Sequence, residues 1–212
     1  MRELELGPLL RLTGGLLVQA GWRVALAMIL LTAIPVYGDI WVDQRDQPAI
    51  NLVIAVASLF LQTWLTGAAL EANGRPRGRS GVGVVFGIGI VAGLGILLGL
   101  VLLILPGLFL LVRWSMSVPY ALAEDAGVMD SLQASFEETR EGFAQILLLL
   151  LICYAPFALA MGAVFLLDNE GVTIVSSVIL NVLINIGLLA GWHAAVAIYL
   201  TKKGDALPEV FA

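Results

Sequence analysis

Apolar residues run through this chain in blocks about as long as a bilayer is thick, separated by short clusters of polar residues, glycine and proline. A hydrocarbon core of ~30 Å needs about 20 helical residues to cross it. The stretches 22–42, 49–71, 82–105 and 143–167 meet that length, and 172–200 is long enough to cross with tilt. The stretch 107–123 is shorter and carries Arg113 and Pro119. As one continuous helix, 82–123 would extend ~60 Å and push Leu108, Phe109, Leu110 and Leu111 into water. A hairpin at Pro106-Gly107 keeps them in the membrane. Six spans are therefore expected, in an all-α polytopic bundle that takes residues 1–212 as a single membrane domain.

Two further segments have an amphipathic pattern. Within 8–20, Leu9, Leu12, Leu16 and Leu17 fall on one side, with Pro8 at a helix start after Gly7. Within 129–142 and just past it, Met129, Leu132, Phe136 and Phe143 fall on one side, and Glu137, Glu138 and Glu141 elsewhere. Asp130 followed by Gln133 has the spacing of a capping box. Both segments are expected as surface helices along the inner face of the membrane. The second is acidic, so anionic headgroups do not explain it. A shift of 121 residues aligns Gly21 with Gly142, Trp22 with Phe143 and Pro35 with Pro156. A parallel internal repeat of 8–42 and 129–163 is one reading of that match.

Composition agrees with the pattern: 60% of residues are hydrophobic and 13% charged, with a mean hydropathy of +0.98. Soluble domains are ~45–50% apolar and ~25% charged. A net charge of −5 argues against a nucleic-acid partner. One cysteine, Cys153, and one histidine, His193, exclude an intramolecular disulfide and cysteine-cage or paired-histidine metal sites. No metal or cofactor is expected. The start, MRELELGPLL, has acids where a signal peptide has a basic region, so no cleaved signal peptide is expected.

The cations are unevenly placed. With the N-terminus inside, inner segments hold Arg2, Arg11, Arg23, Arg75, Arg77, Arg79, Arg140, Lys202 and Lys203, whereas the outer loops hold only Arg45. Asp39, Asp43, Asp46, Asp168 and Glu170 fall to the outer side. This bias predicts cytoplasmic termini and makes the Arg75-Pro76-Arg77-Gly78-Arg79 loop a topology determinant.

Candidate chemistry is sparse. Span three carries Gly83, Gly87, Gly89, Gly93, Gly95 and Gly99, three GxxxG pairs that let another backbone approach closely. Internal packing is the expected use, with dimerisation as the alternative; with no preceding strand, the run is not a dinucleotide fingerprint. In span four, Arg113, Ser117, Tyr120 and Glu124 are spaced four, three and four, one face of a helix. An arginine in a span costs ~2.5–3.5 kcal/mol on the insertion scale. It either snorkels outward to headgroups or holds an anion or lipid phosphate within the bundle. Span six shows Ser177, Asn181 and Asn185 at intervals of four, continuing to Trp192 on the same side with His193 nearby, and span two shows Asn51, Ser58, Gln62 and Thr66. Such stripes are hydrogen-bonding glue at ~0.6 kcal/mol per contact, or they line a pathway. No Ser-His-Asp set, HExxH or P-loop is present, so no enzymatic role is expected.

The run 105–143, LPGLFLLVRWSMSVPYALAEDAGVMDSLQASFEETREGF, resembles the membrane domain of bacterial glycerophosphoryl diester phosphodiesterases and related six-span membrane-protein families. The positions that carry the resemblance are Pro106, Gly107, Pro119, Glu124, Gly127, Ser135, Phe136, Thr139 and Gly142. These residues contain no phosphodiesterase catalytic domain, so what the resemblance implies is a bacterial inner-membrane protein that handles or senses lipids. The expected partners are membrane lipids, another membrane protein, or a cytoplasmic partner of the acidic 124–141 segment. The alternative is a small transporter or channel using the polar stripes of spans two, four and six.

Overall fold

The computed structural model describes residues 4–43, 45–167 and 173–203. Among them the chain forms nine α-helices and no strand: α1 (Leu6–Ala20), α2 (Trp22–Trp41), α3 (Gln47–Ala72), α4 (Val82–Leu102), α5 (Ile104–Arg113), α6 (Ser117–Glu124), α7 (Val128–Glu138), α8 (Phe143–Leu167) and α9 (Ile174–Lys203). Six stretches are long and apolar enough to cross a membrane: α2, α3, α4, α5 with α6, α8 up to Val164, and α9. Their outer faces are apolar; on α4 alone Leu94, Leu97, Leu98, Val101 and Leu102 are more than half exposed. An apolar belt of that kind is stable in lipid and not in water. The protein is an all-α integral membrane bundle.

α9 is the central helix, packed against α8, α2 and α1. Its Ala197, Ile198, Tyr199 and Leu200 are fully or almost fully buried with Ile146, Leu149 and Leu150 of α8 and Leu9 and Leu16 of α1. One end of the bundle collects α1, the 73–81 loop, α7 and the last turn of α9. There Asn73 Nδ2 donates to Gln19 Oε1 (3.2 Å), Arg75 Nη2 to the Lys203 carbonyl (3.1 Å) and the Gly78 amide to the Leu122 carbonyl (2.7 Å). Lys203 pairs with Glu138 at 2.8 Å, and Lys202 Nζ donates to the Glu141 carbonyl. Asp168 and Glu170 lie outside the described residues.

Several sequence expectations are corrected. The reversal between spans three and four lies at Leu103, which is extended (φ −158°, ψ 129°), while Pro106 and Gly107 sit in the first turn of α5. Proline is tolerated there because the first four amides of a helix have no intrahelical partner. α1 begins at Leu6, so Pro8 is its third residue and not its first. α1 buries Leu9, Thr13 and Leu16 against α8 and α9, with Leu12 packed at the margin. α7 ends at Glu138 and buries Ser131, Leu132 and Ser135, whereas Met129 is 69% exposed. Its N-cap is Gly127 with no side-chain cap, so the capping box does not form; Gln133 instead bonds Glu137 at 2.9 Å. Asp130 lies in the first turn, where a negative charge meets the helix dipole favourably.

The glycines of span three divide. A Cβ at Gly87 would meet Val128, at Gly95 the Trp114 ring, and at Gly99 the Gly107 backbone. At Gly83 and Gly93 it would meet nothing within 4 Å, and at Gly89 only Leu59 at 4.0 Å. Only Gly87, Gly95 and Gly99 therefore pack within the chain, because α5 and α7 cover one face of α4 alone. The stripe of span six is turned toward α2: Ser177 Oγ donates to Asp39 Oδ2 (2.6 Å) and Asn185 Nδ2 to Thr32 Oγ1 (3.2 Å), while Asn181 Nδ2 donates to the Ser177 carbonyl (3.0 Å). The first two bonds join α9 to α2, as does a longer one from Asn181 Nδ2 to Asp39 Oδ2 (3.5 Å), and Asp39 lies within α2 and not in an outer loop.

The aligned glycines share a local geometry. Gly21 (φ +45°) and Gly142 (φ +81°) take the positive φ that glycine adopts readily, and each leads into a span with an internal proline, Pro35 or Pro156. Packing does not follow: α1 rests on α9 and α8, whereas α7 rests on α6 and α4.

Candidate ligand-binding site at the break in the fourth span

Span four is two helices because of Pro119. Its ring has no N–H to give and would strike the carbonyl one turn earlier in a continuous helix. The helix accordingly stops at Arg113 and restarts at Ser117. Within a membrane the freed backbone groups need partners from protein. Ser115 Oγ donates to the Val112 carbonyl (2.8 Å) and Ser117 Oγ to the Trp114 carbonyl (2.7 Å). The rest comes from α7: Ser135 Oγ accepts from the Met116 amide (3.2 Å) and donates to the Arg113 carbonyl (2.8 Å). Thr139 Oγ1 lies 3.2 Å from the same carbonyl and 2.7 Å from the Ser135 carbonyl. Ser131, Ser135 and Thr139 are all 0% exposed. This hydroxyl stripe escapes a reading based on apolar positions, although its spacing of four is visible in the sequence.

Beside the break lies a cavity of about 240 Å³ between α3, α4, α6, α8 and α9. Gln62, Thr66, Trp114, Ser117 and Tyr154 face it with the glycines Gly89 and Gly93 of α4. A second cleft of about 480 Å³ opens at the α1 end, where Glu137, Glu138, Arg140, Glu141 and Lys202 give it mixed charge.

The residues grouped in the sequence on one face of span four are distributed over three places. A spacing of four, three and four describes one face only if the helix is continuous, and the 114–116 segment interrupts it. Ser117 lines the cavity. Tyr120 and Glu124 belong to the α1 end, where Tyr199 Oη donates to Glu124 Oε1 (2.6 Å), the Tyr120 and Tyr199 rings meet edge-on, and Lys203 Nζ lies 4.9 Å from the Tyr120 ring. Arg113 points elsewhere: its Cζ stands 3.9 Å from the Phe136 centroid and 5.6 Å from that of Phe109. Arg113 is 7% exposed and its Nε has no hydrogen-bond partner. Among the described residues no carboxylate pairs with it, and the charge nearby is the like charge of Arg140.

Of the polar stripes, Gln62 reaches the cavity, whereas Asn181 and Asn185 are held at the α2 interface. His193 is 1% exposed, with Nδ1 2.8 Å from the Leu189 carbonyl and Nε2 without a partner. It does not line the cavity. Among the described residues no group of three or more His, Cys, Asp or Glu side chains comes together.

The bond from Tyr199 to Glu124 ties α9 to α6. Removing it by Tyr199→Phe is expected to lower stability by about 1–2 kcal/mol, the lower part of the range for a hydrogen bond to a charged acceptor, since Glu124 is exposed. Thermal unfolding of the purified protein measures this; a Tyr199→Phe protein as stable as the parent would show that the bond contributes nothing.

No family model, curated protein or solved structure matches the chain.

Proposed function

We propose that this is a non-enzymatic, multi-pass inner-membrane protein that binds an anionic phospholipid through Arg113. The observation that carries this reading is the buried Arg113 side chain with an unpartnered Nε, no carboxylate beside it among the described residues and a second arginine nearby. The face of Phe136 stabilises such a cation by ~0.5–2 kcal/mol but accepts none of its five N–H donors. A phosphate does both, with a planar fork of bonds that lysine does not reproduce. The excess of Arg and Lys at the α1 end supports a cytoplasmic orientation for that end. The resemblance of 105–143 belongs to this proposal as a lipid-handling class. Its Gly107, Glu124, Ser135, Thr139 and Gly142 have architectural roles.

Native mass spectrometry of the protein released gently from membranes tests the proposal. The parent is expected to carry a phospholipid that Arg113→Ala loses about tenfold, the loss of one strong charge-assisted contact; Arg113→Lys is expected to retain part of it. Equal lipid retention by the parent and Arg113→Ala would sink the assignment.

A second reading, a small transporter or channel, is favoured by the interruption of span four at the 114–116 turn beside a cavity. It requires water at Ser117, so single cysteines placed there, in a Cys153→Ser background, would react with a water-soluble maleimide. Protection of that position counts against transport.

A further inference from the structure

We infer that the cavity beside the break is a binding site, separate from Arg113, for a small uncharged molecule dissolved in the membrane and carrying a hydroxyl or carbonyl group. Three features of the cavity carry this: its mouth, its unpartnered polar groups and its lack of charge.

The mouth is formed by Gly89 and Gly93, both exposed on the outer face of α4. At Gly93 the space beyond the backbone is empty to 4 Å. These glycines stand seven and eleven residues past Val82, or ~10–17 Å along the span, so the mouth faces hydrocarbon and not the headgroups. A molecule entering there comes from the bilayer.

The interior offers hydrogen bonds that the protein does not use. Thr13, Thr63, Thr139 and Thr201 each return their hydroxyl to the carbonyl four residues earlier, at 2.7–2.8 Å. Thr66 does not: it is 3% exposed, it faces the cavity, and its hydroxyl has no hydrogen-bond partner among the described residues. Gln62 and Tyr154 line the same space, and the amide of the one and the hydroxyl of the other have no hydrogen-bond partner among the described residues. Polar groups left unpaired in a low-dielectric interior favour a ligand that completes them.

Among the described residues no Asp, Glu, Lys, Arg or His lines the cavity, so a charged ligand would be unpaired at mid-membrane. At about 240 Å³ the space lies below the ~300–1,000 Å³ of sites for drug-sized molecules, which sets the occupant as a smaller one.

The test uses the full chain in phosphatidylcholine nanodiscs, with Trp22, Trp41 and Trp64 replaced by phenylalanine so that Trp114 and Trp192, both at the cavity, report. 6-Bromohexanol is titrated as an uncharged quencher, with 1-bromohexane as its hydroxyl-free counterpart. The inference expects saturable quenching by the alcohol. Half-saturation should rise about fivefold in Thr66→Val or Gln62→Leu, the loss of one hydrogen bond. Saturation should vanish in Gly93→Leu, whose side chain fills the mouth, while its melting temperature stays at the parental value. Quenching that is linear and equal in the parent and Gly93→Leu overturns the site, and equal saturation by 1-bromohexane overturns its polar selectivity. Equivalent quenching by aqueous acrylamide overturns entrance from the bilayer. If the tryptophan replacements unfold the protein, the parent and Gly93→Leu are compared with all tryptophans in place. Arg113→Ala should leave this quenching unchanged, and Gly93→Leu should leave the phospholipid of Arg113 in place, so the two assignments stand or fall separately.

Discussion

Replacing Ser135 by alanine together with Thr139 by valine is expected to destabilise the protein by about 3–5 kcal/mol, because a buried polar group left unpaired costs ~1–3 kcal/mol. Both side chains act on the break in span four. Ser135 alone supplies an acceptor to the Met116 amide and a donor to the Arg113 carbonyl, and Thr139 reinforces the second. All three hydroxyls of the stripe are fully buried, so water cannot replace them without opening the packing of α7. Ser131 is the control. Its hydroxyl returns at 2.7 Å to the Gly127 carbonyl, which already accepts the Ser131 amide. Ser131→Ala is therefore expected to cost under ~1 kcal/mol, since no group loses its only partner. Unfolding by denaturant in a mild detergent gives both values. A double variant no less stable than Ser131→Ala would mean that α7 does not hold the break together.

The second large effect concerns one substitution made at two places in α4. Gly99→Ala is expected to destabilise by about 3 kcal/mol, the upper part of the range for overpacking. The added Cβ would stand 2.7 Å from the Gly107 nitrogen and 2.8 Å from its Cα. Those are backbone atoms, with no rotamer by which to withdraw, so α4 and α5 must separate along their hairpin. Gly93→Ala meets open space and is expected to be neutral or to stabilise by ~0.4–1 kcal/mol through the unfolded chain. Melting temperatures of the two variants, taken side by side, measure the contrast. Equal changes at both positions would mean that the contact with the Gly107 backbone does not set the cost.

The spans are legible in the sequence because each is a self-contained signal: a stretch of about 20 apolar residues needs no partner to be recognised as membrane-spanning. What escapes is what depends on a second element. Pro106-Gly107 looks like a turn, yet proline is equally at home in the first turn of a helix, and Gly107 is there to meet Gly99. The pattern of Met129, Leu132, Phe136 and Phe143 gives α7 an apolar inner face. Leu132 is buried on that face but Met129 is not, and Ser131, Ser135 and the capping Thr139 are buried beside Leu132, since a hydroxyl bonded to backbone is buried as readily as a methyl group. The face drawn through Arg113, Ser117, Tyr120 and Glu124 assumed an unbroken helix, and Pro119 was the residue that argued otherwise. The cavity could not be read at all. It is made where five helices fail to fill a space, and no single stretch of sequence records an absence shared among them.

The clasp on span four also sets an order on biogenesis. Met116 is paired by a residue 19 positions further along, and Arg113 by residues 22 and 26 positions further along. At ~5–20 residues per second, a ribosome completes span four roughly 0.8–3 s before Thr139 has been made. During that interval the span sits in or beside the insertion machinery with two backbone groups that only a later segment can satisfy. Its passage into lipid is thus coupled to the synthesis of α7. A chain stalled where span four has left the ribosome and α7 has not should keep this span, alone of the first four, within reach of crosslinkers on the insertion machinery.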